Sequence, residues 1–135
     1  MNASIQIEAR AVPQEVRATI LPQHFGRHML TVEGRIYDFM TQFAKTYRGG
    51  HWEFFELSNG GFYMRPPEDT YQLRIYSNGF SGPMSADAAG ITVCLFAFSH
   101  LSFECAGSMF AEHFHWLREF SLNHPEAGVI FAAID

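Results

Sequence analysis

The chain has 135 residues, a size typical of one compact domain that buries roughly two-thirds of its unfolded surface without needing a disulfide or a metal. Its formal net charge is −5, with +2 on residues 1–50 and −7 on residues 51–135. This acidic balance disfavours a nucleic-acid-binding surface. A DNA mimic is disfavoured as well, because 14 acids offset by nine bases give a much lower density of negative charge than duplex DNA, which carries about one charge per 1.7 Å.

Helices are expected early in the chain, after an N-terminal segment without a pattern. Residues 1–11 show no apolar periodicity, so we expect this segment to be loosely held. Two prolines bracket a short helix over residues 14–21. A longer helix follows, which Thr31 can cap and the glycines at 49–50 can end. Its apolar stripe recurs at three- and four-residue steps and comprises Val32, Ile36, Phe39, Met40, Phe43 and Tyr47.

The middle of the chain predicts a β-hairpin. Residues 51–57 are rich in aromatic side chains with acids between them, which favours a strand over so short a helix. The segment SNGG at 58–61 predicts a reversal, because Asn and Gly tolerate the positive φ angles of tight turns. The returning strand, residues 62–65, is expected to carry Tyr63 and Arg65 on its outward face.

A second hairpin is expected directly afterwards. Residues 66–69 include two prolines, which cannot donate to a strand ladder. Residues 70–77 alternate apolar and polar side chains, and the Asn-Gly pair at 78–79 predicts a tight turn into a short edge strand at 80–84. The two hairpins together predict a meander of three or four antiparallel strands.

Helices are expected again after the strands. Ser85 is a candidate N-cap, and Asp87 lies where the positive end of the helix dipole favours a carboxylate. The apolar run 88–98 indicates that this helix is the buried one. Two more helices are expected over 109–122 and 126–134.

These elements predict an α+β fold: a single domain over residues 1–135 in which an antiparallel three- to four-stranded meander sheet packs against several α-helices. The longest apolar run is far shorter than the ~20 residues that cross a bilayer, and the N-terminus lacks the layout of a signal peptide. We therefore expect a cytoplasmic protein that does not contact a membrane.

The sequence does not predict a metal or cofactor site. His24 and His28 have the spacing of two ligands on one helical face, but Gly26 lies between them and no further ligand completes the set. Cys94 and Cys105 form no CxxC pair, and they are expected to be reduced residues of the core instead of a disulfide. No metal and no cofactor are expected.

Catalytic patterns are weak as well. Ser85, Asp87 and one of the histidines could form a hydrolase triad, yet Ser85 lacks the G-x-S-x-G turn that presents a nucleophile. His113 and His115 lie about 200° apart on a helix, so they cannot share a ligand, and one of them is expected in solvent. We expect no enzyme, and a small hydrolase is the weaker alternative.

A nucleic-acid-binding module is the other alternative. Aromatic side chains on a sheet can stack on bases, but such surfaces also need cations for the phosphates, and the strands supply only Arg65 and Arg74. Strong direct binding to nucleic acid is therefore not expected. The aromatic candidates are Trp52, Tyr63, Tyr71 and Tyr76.

Four segments resemble the KlcA/ArdB family of antirestriction proteins. They are LPQHFGRHML (21–30), GGHWEFFELSNGGFYMRPP (49–67), MSADAAGI (84–91) and HPEAGVIFAAID (124–135). The resemblance implies a protein of plasmids and other mobile elements that inhibits type I restriction in the host and protects incoming unmodified DNA. It implies the host type I restriction-modification complex as the partner, contacted directly or through an intermediate. The family is distinct from the acidic DNA mimics.

The resemblance supplies no catalytic set, but it suggests a contact surface. Polar, turn and terminal residues within or between the resembling segments are not obviously needed for a core, and exposed positions carry binding more often than core positions do. Each also has a local structural interpretation, as a turn, a helix-start or a terminal residue. The candidate contacts are Ser58, Asn59, Gly60, Gly61, Tyr63, Arg65, Arg74, Asp87 and Asp135.

Overall fold

The computed structural model describes residues 6–135. This part of the chain forms five strands and five α-helices, and short 3₁₀ turns at Gln14–Val16 and Gly26–His28 lead into the first two helices. The strands are β1 (Ala9–Ala11), β2 (Glu53–Leu57), β3 (Phe62–Arg65), β4 (Thr70–Ile75) and β5 (Phe80–Ser85). The helices are α1 (Arg17–Phe25), α2 (Met29–Phe43), α3 (Ala86–Glu104), α4 (Met109–Ser121) and α5 (Ala127–Ile134).

The strands form two antiparallel sheets with helices packed on them, which confirms the α+β class. One sheet has the order β1-β2-β3, and the other is the β4-β5 hairpin. The four strands expected from the turn residues are present, but β3 and β4 do not pair, so the expected meander is divided. The outward edge of β3 lies against α3, where Gly90 approaches the backbone of Met64, and this contact leaves no room for β4.

Strand β1 was not expected. It pairs with β2, so that Ala9 lies opposite Leu57 and Ala11 opposite Phe55. The expectation of a loosely held N-terminal segment is therefore wrong for residues 9–11, because β2 has a second edge whose backbone groups β1 satisfies. Residues 1–5 belong to the same expectation and lie outside the described residues.

Helix α2 is confirmed, but its ends differ from the prediction. The 3₁₀ turn leads straight into it at Met29, so Thr31 is a helical residue and not the cap. The helix ends at Phe43, because Ala44 is extended, and the chain does not continue helically to the glycines. Tyr47 lies beyond the helix, where its hydroxyl accepts a 2.9 Å hydrogen bond from Trp52 Nε1.

Helix α3 runs through the centre of the molecule, as expected. Ser85 caps it by accepting a 3.1 Å hydrogen bond from the Ala88 amide. Twelve of its 19 residues are buried, and its apolar residues lie on all sides of the helix and not along one stripe. By length and composition α3 could cross a membrane, but 67% of its most apolar stretch is buried in the fold, which is the pattern of a core helix.

The last two helices lie where they were expected, over Met109–Ser121 and Ala127–Ile134. Both cysteines are free thiols: Cys94 is buried in α3, and Cys105 is partly exposed after its end. Burial raises the pKa of the Cys94 thiol to about 12, so this thiol is protonated at neutral pH.

Candidate functional site

A polar cluster lies where the first turn of α3 meets the end of β3. Asp87 of α3 accepts a 2.7 Å hydrogen bond from the Tyr63 hydroxyl through Oδ1, and its Oδ2 lies 2.8 Å from His124 Nε2. Arg65 Nη1 lies 3.6 Å from Asp87 Oδ1, and the same guanidinium also pairs with Glu53. Asp87 therefore joins a helix, a strand and the connection before α5.

The tautomer of His124 follows from its two contacts. Its Nδ1 accepts a 2.9 Å hydrogen bond from the Glu126 amide, so the ring proton is on Nε2 and is donated to Asp87. Burial of Asp87 opposes its ionisation, but the hydrogen bonds from His124 and Tyr63 outweigh burial and hold the pKa of Asp87 below its usual range. Asp87 is therefore an anion at neutral pH.

Ser85 and Glu126 form the second part of the cluster. Glu126 accepts a 3.0 Å hydrogen bond from the Ser85 amide and another from the Ser85 hydroxyl, while Ser85 Oγ accepts from the Ala88 amide. No histidine hydrogen-bonds Ser85 in the described chain, and both nitrogens of His124 have other partners. The geometry is that of a braced helix start and not of a Ser-His-Asp triad.

This cluster forms one wall of an open cleft of about 370 Å³ between the β3–β4 connection and the start of α3, which we call the Asp87 cleft. Four carboxylates and one guanidinium are its charged groups, and the side chains of Arg65 and Asp87 are 33% and 26% exposed. The lining residues are Glu53, Arg65, Pro66, Pro67, Glu68, Asp69, Ser85, Ala86 and Asp87. The cleft therefore presents charged groups of both signs to solvent.

Three of the nine predicted contact residues meet at this cluster: Tyr63, Arg65 and Asp87. Tyr63 was expected to face outward, and this is wrong, because its side chain is buried with 2% exposure. Its ring lies between Phe55 and Phe120, with centroids 5.0 and 5.8 Å away, since α4 covers that face of β3. Burial and the Asp87 carboxylate raise the pKa of Tyr63.

The predicted turn residues lie at a separate place, against α4. Asn59 donates a 2.9 Å hydrogen bond to the Trp116 carbonyl and accepts one from the Gly61 amide at 3.1 Å. Gly60 has a φ of 103°, and an added Cβ there would touch the Trp116 ring. Ser58 is exposed, and its hydroxyl accepts from the Glu8 amide at 2.9 Å. The turn holds the first sheet on α4.

Arg74 and Asp135 lie apart from the cluster and from each other. Arg74 is exposed on β4, with its guanidinium carbon 5.0 Å from the centroid of the Tyr76 ring. Asp135 is exposed after α5, beside a shallow surface depression that Arg118 also lines. The nine candidates are therefore distributed over four places.

His124 and Glu126 complete the cluster, and the sequence reasoning did not single them out. Each lies about 40 residues from its partner along the chain, at separations of 37 and 41 positions. The one available signal was the segment HPEAG within the last resembling block, where a Pro precedes a helix start.

The histidines expected to be structural lie in two environments. His24 Nε2 lies 2.7 Å from Glu56 Oε2 in a hydrogen bond, and its ring is 5.3 Å from that of His113. His113 is buried and His115 exposed, as expected for opposite sides of one helix. Among residues 6–135, no three His, Cys, Asp or Glu side chains are arranged to hold a metal ion.

Comparison with known proteins finds antirestriction proteins, both by family model and by individual relatives. A family model described as "Antirestriction protein" matches residues 45–135. Antirestriction protein KlcA of Escherichia coli is 39% identical over 142 residues, which covers 100% of both chains. A second E. coli KlcA is 41% identical over 96% of this chain and 94% of its own, and the uncharacterized E. coli protein YfjX is 38% identical over 99% of this chain and 91% of its own.

The fold is similar to a solved one. A structure described for the KlcA and ArdB proteins superposes with a TM-score of 0.91, covers 100% of both chains and is 38% identical in sequence. Those proteins are described as having a novel fold and antirestriction activity against Type I DNA restriction systems in vivo but not in vitro.

Proposed function

This chain belongs to the antirestriction protein family, and we propose that it protects unmodified DNA from type I restriction inside the cell. The observation that carries the proposal is the match to KlcA and ArdB over the whole chain in both sequence and fold. The fold alone would not carry it, because one fold supports many functions. We also propose that the chain comes from a plasmid or another mobile element and acts in the cytoplasm.

The protein acts through protein contacts and not by imitating DNA. Its net charge of −5 is small, and six of its 14 acids already pair with other groups of the same chain. These acids are Glu33, Glu53, Glu56, Asp87, Glu104 and Glu126.

The protein is not an enzyme in this proposal. Support comes from the Ser85 hydroxyl, which is engaged by Glu126 and by the Ala88 amide, so that it is unavailable as a nucleophile. A nucleic-acid-binding role is disfavoured because Arg74 is the only basic residue of β4, and one cation is too few to bind a phosphate backbone.

The Asp87 cleft is the place where we propose that a host protein binds. Arg65 and Asp87 are partly exposed there, and they are the two predicted contacts that share one cavity. The host protein is either the type I restriction complex itself or an intermediate that acts on it. An indirect route is supported by the relatives, whose activity is described in vivo but not in vitro.

The test is the plating of unmodified phage on bacteria with an active type I system, with and without expression of this chain. Plating should rise toward the level of modified phage, which serves as the control because it is not restricted. The family function fails for this chain if restriction is unchanged across several type I systems.

A variant tests the cleft separately. Arg65→Gln removes the guanidinium that Asp87 and Glu53 share, and Arg27→Gln makes the same change at an exposed position outside the cleft. Circular dichroism first checks that Arg65→Gln is folded. We then expect this variant to lose phage protection and to capture less of the host partner. Full protection by this variant would show that the host protein binds at another surface, and it would not contradict the family function.

A further inference from the structure

The sheet β1-β2-β3 has one closed edge and one open edge. The outer side of β3 is closed by α3, because a Cβ at Gly90 would lie 2.0 Å from the Met64 carbonyl oxygen and 3.0 Å from the Arg65 Cα. At the opposite edge of the sheet, all three residues of β1 are exposed. Within residues 6–135 no strand pairs with the outer side of β1.

The register of β1 shows which backbone groups are free. The Ser58 amide donates to the Glu8 carbonyl at 2.9 Å, and the Val12 amide donates to the Phe54 carbonyl at 2.8 Å, with Arg10 opposite Glu56 between them. In an antiparallel ladder alternate residues point their backbone groups to the same side. Residues 8, 10 and 12 therefore bond to β2, and the N–H and C=O groups of Ala9 and Ala11 point outward.

The side chains of this edge are small or oppositely charged. Glu8 and Arg10 flank Ala9 and are both exposed. Neither forms an ion pair within the described part of the chain, although an open depression of about 380 Å³ lies beside them. An occupant of this edge must offer a base opposite Glu8 and an acid opposite Arg10.

We propose that the open edge pairs with the same edge of a second copy of the chain, antiparallel and centred on Ala9. In that register Ala9 faces its symmetry mate as a hydrogen-bonded pair, and Glu8 of each copy faces Arg10 of the other. These charged positions are non-hydrogen-bonded pairs, where the Cα atoms come closest, at about 4.5 Å. The chain's own segment thus supplies the charge pattern that its edge requires, and pairing joins two three-stranded sheets into one of six strands.

Charge reversal tests the pairing. Glu8→Arg and Arg10→Glu each place like charges opposite one another twice in the dimer, whereas the double variant restores both ion pairs with their signs exchanged. Each single variant should raise the dimer dissociation constant by about tenfold, and the double variant should return it close to the original value. The matched controls are Glu15→Arg and Arg27→Glu, which make the same charge changes at exposed positions away from β1.

A backbone variant tests the edge itself. Ala9→Pro removes an outward amide donor and leaves the hydrogen bonds of Glu8 and Val12 to β2 in place. We expect it to abolish the dimer, with the circular dichroism spectrum retained. The readout for all variants is the mass measured by sedimentation equilibrium at low salt and at protein concentrations up to ~100 µM, because assembly depends on concentration.

Two results would overturn the proposal. One is a monomeric mass at every concentration, which would leave the edge for an extended segment of a different protein. The other is a dimer that neither the charge reversals nor Ala9→Pro weakens, which would place the interface on another surface.

Discussion

His113 is a buried polar side chain that lacks a partner for one of its ring nitrogens. Its Nδ1 accepts or donates no hydrogen bond within the described residues, and the side chain is 2% exposed. The rings of Phe25 and Phe98 lie 4.6 and 5.4 Å from it, and His24, which pairs with Glu56, lies 5.3 Å away. Burial first, and the charge of His24 second, lower the pKa of His113 to about 4.

The lowered pKa makes stability depend on pH. The unfolded chain takes up the His113 proton near its ordinary pKa of 6.5, whereas the folded chain takes it up only near pH 4. This contribution to stability is therefore complete above about pH 6.5 and is lost as the pH falls toward 4. At 1.36 kcal/mol per pKa unit, the loss by pH 4.5 is about 2.5 kcal/mol.

His113→Leu should remove this dependence, because leucine has a similar volume and no ionisable group. We expect the variant to match the original protein at pH 7.5 in urea unfolding and to be more stable by about 2.5 kcal/mol at pH 4.5. His115→Leu changes the exposed histidine of the same helix and should keep the original pH dependence. An equal loss of stability in His113→Leu at pH 4.5 would assign the acid sensitivity to other groups.

At the scale of secondary-structure elements, the backbones of α3 and β3 approach each other closely at Gly90. This approach requires a residue without a Cβ at position 90, because a methyl group there would also lie 3.0 Å from the Cα of Arg65. These neighbours are backbone atoms, which cannot rotate away as a flexible side chain can. The close approach therefore depends on Gly90 and determines that β3 has no further strand partner.

Gly90→Ala should accordingly destabilise the fold by about 3 kcal/mol or more, the upper range for overpacking a core. Gly34→Ala and Gly128→Ala are the controls, since both lie in helices and the added methyl group has no neighbour within 4 Å beyond the adjacent residues and the local helix backbone. Each should be neutral or stabilising by up to about 1 kcal/mol. Urea unfolding of the three variants gives the comparison. A Gly90→Ala protein as stable as its controls would mean that α3 can shift without cost.

Two asparagine turns attach the strands to the last two helices. Asn59 donates to the Trp116 carbonyl of α4, and Asn78 donates to the Ala133 carbonyl of α5 at 2.7 Å. Each also accepts a hydrogen bond from the amide two residues later. Ala133 belongs to the last turn of α5, whose carbonyls have no partner within the helix, so Asn78 also completes that helix end.

These elements show which features a sequence can predict. Strands β2 to β5 and the start of α3 are encoded locally, by alternation, by Asn-Gly turns and by the Ser85 cap. Strand β1 is not, because its small exposed residues become a strand only through pairing with β2. In the site, Tyr63, Arg65 and Asp87 were predicted, but the burial of Tyr63 depends on α4 packing and His124 reaches Asp87 only in the folded chain.

At the scale of the whole molecule, the net negative charge of the chain does not by itself indicate that it imitates DNA. An acidic inhibitor of a DNA enzyme can compete with DNA only if its charges are dense and exposed, since duplex DNA offers about one charge per 1.7 Å. In this chain nine basic residues offset the acids, and Glu104 and Glu53 form ion pairs with Arg35 and Arg65. We therefore expect the field of the protein to be too weak to replace DNA on a basic surface.

The purified chain should consequently leave DNA bound to a type I restriction enzyme. In a fluorescence anisotropy assay of labelled duplex on the enzyme, we expect no displacement by the chain up to about 10 µM at low salt, the range of ordinary non-specific DNA affinity. Unlabelled duplex is the positive control and should displace the label. Displacement by the chain that weakens steeply with salt would establish mimicry after all, because that slope arises when a basic surface releases the counterions condensed on a dense array of negative charge. No displacement, together with protection of phage in cells, would restrict the mechanism to protein contacts outside the DNA-binding surface.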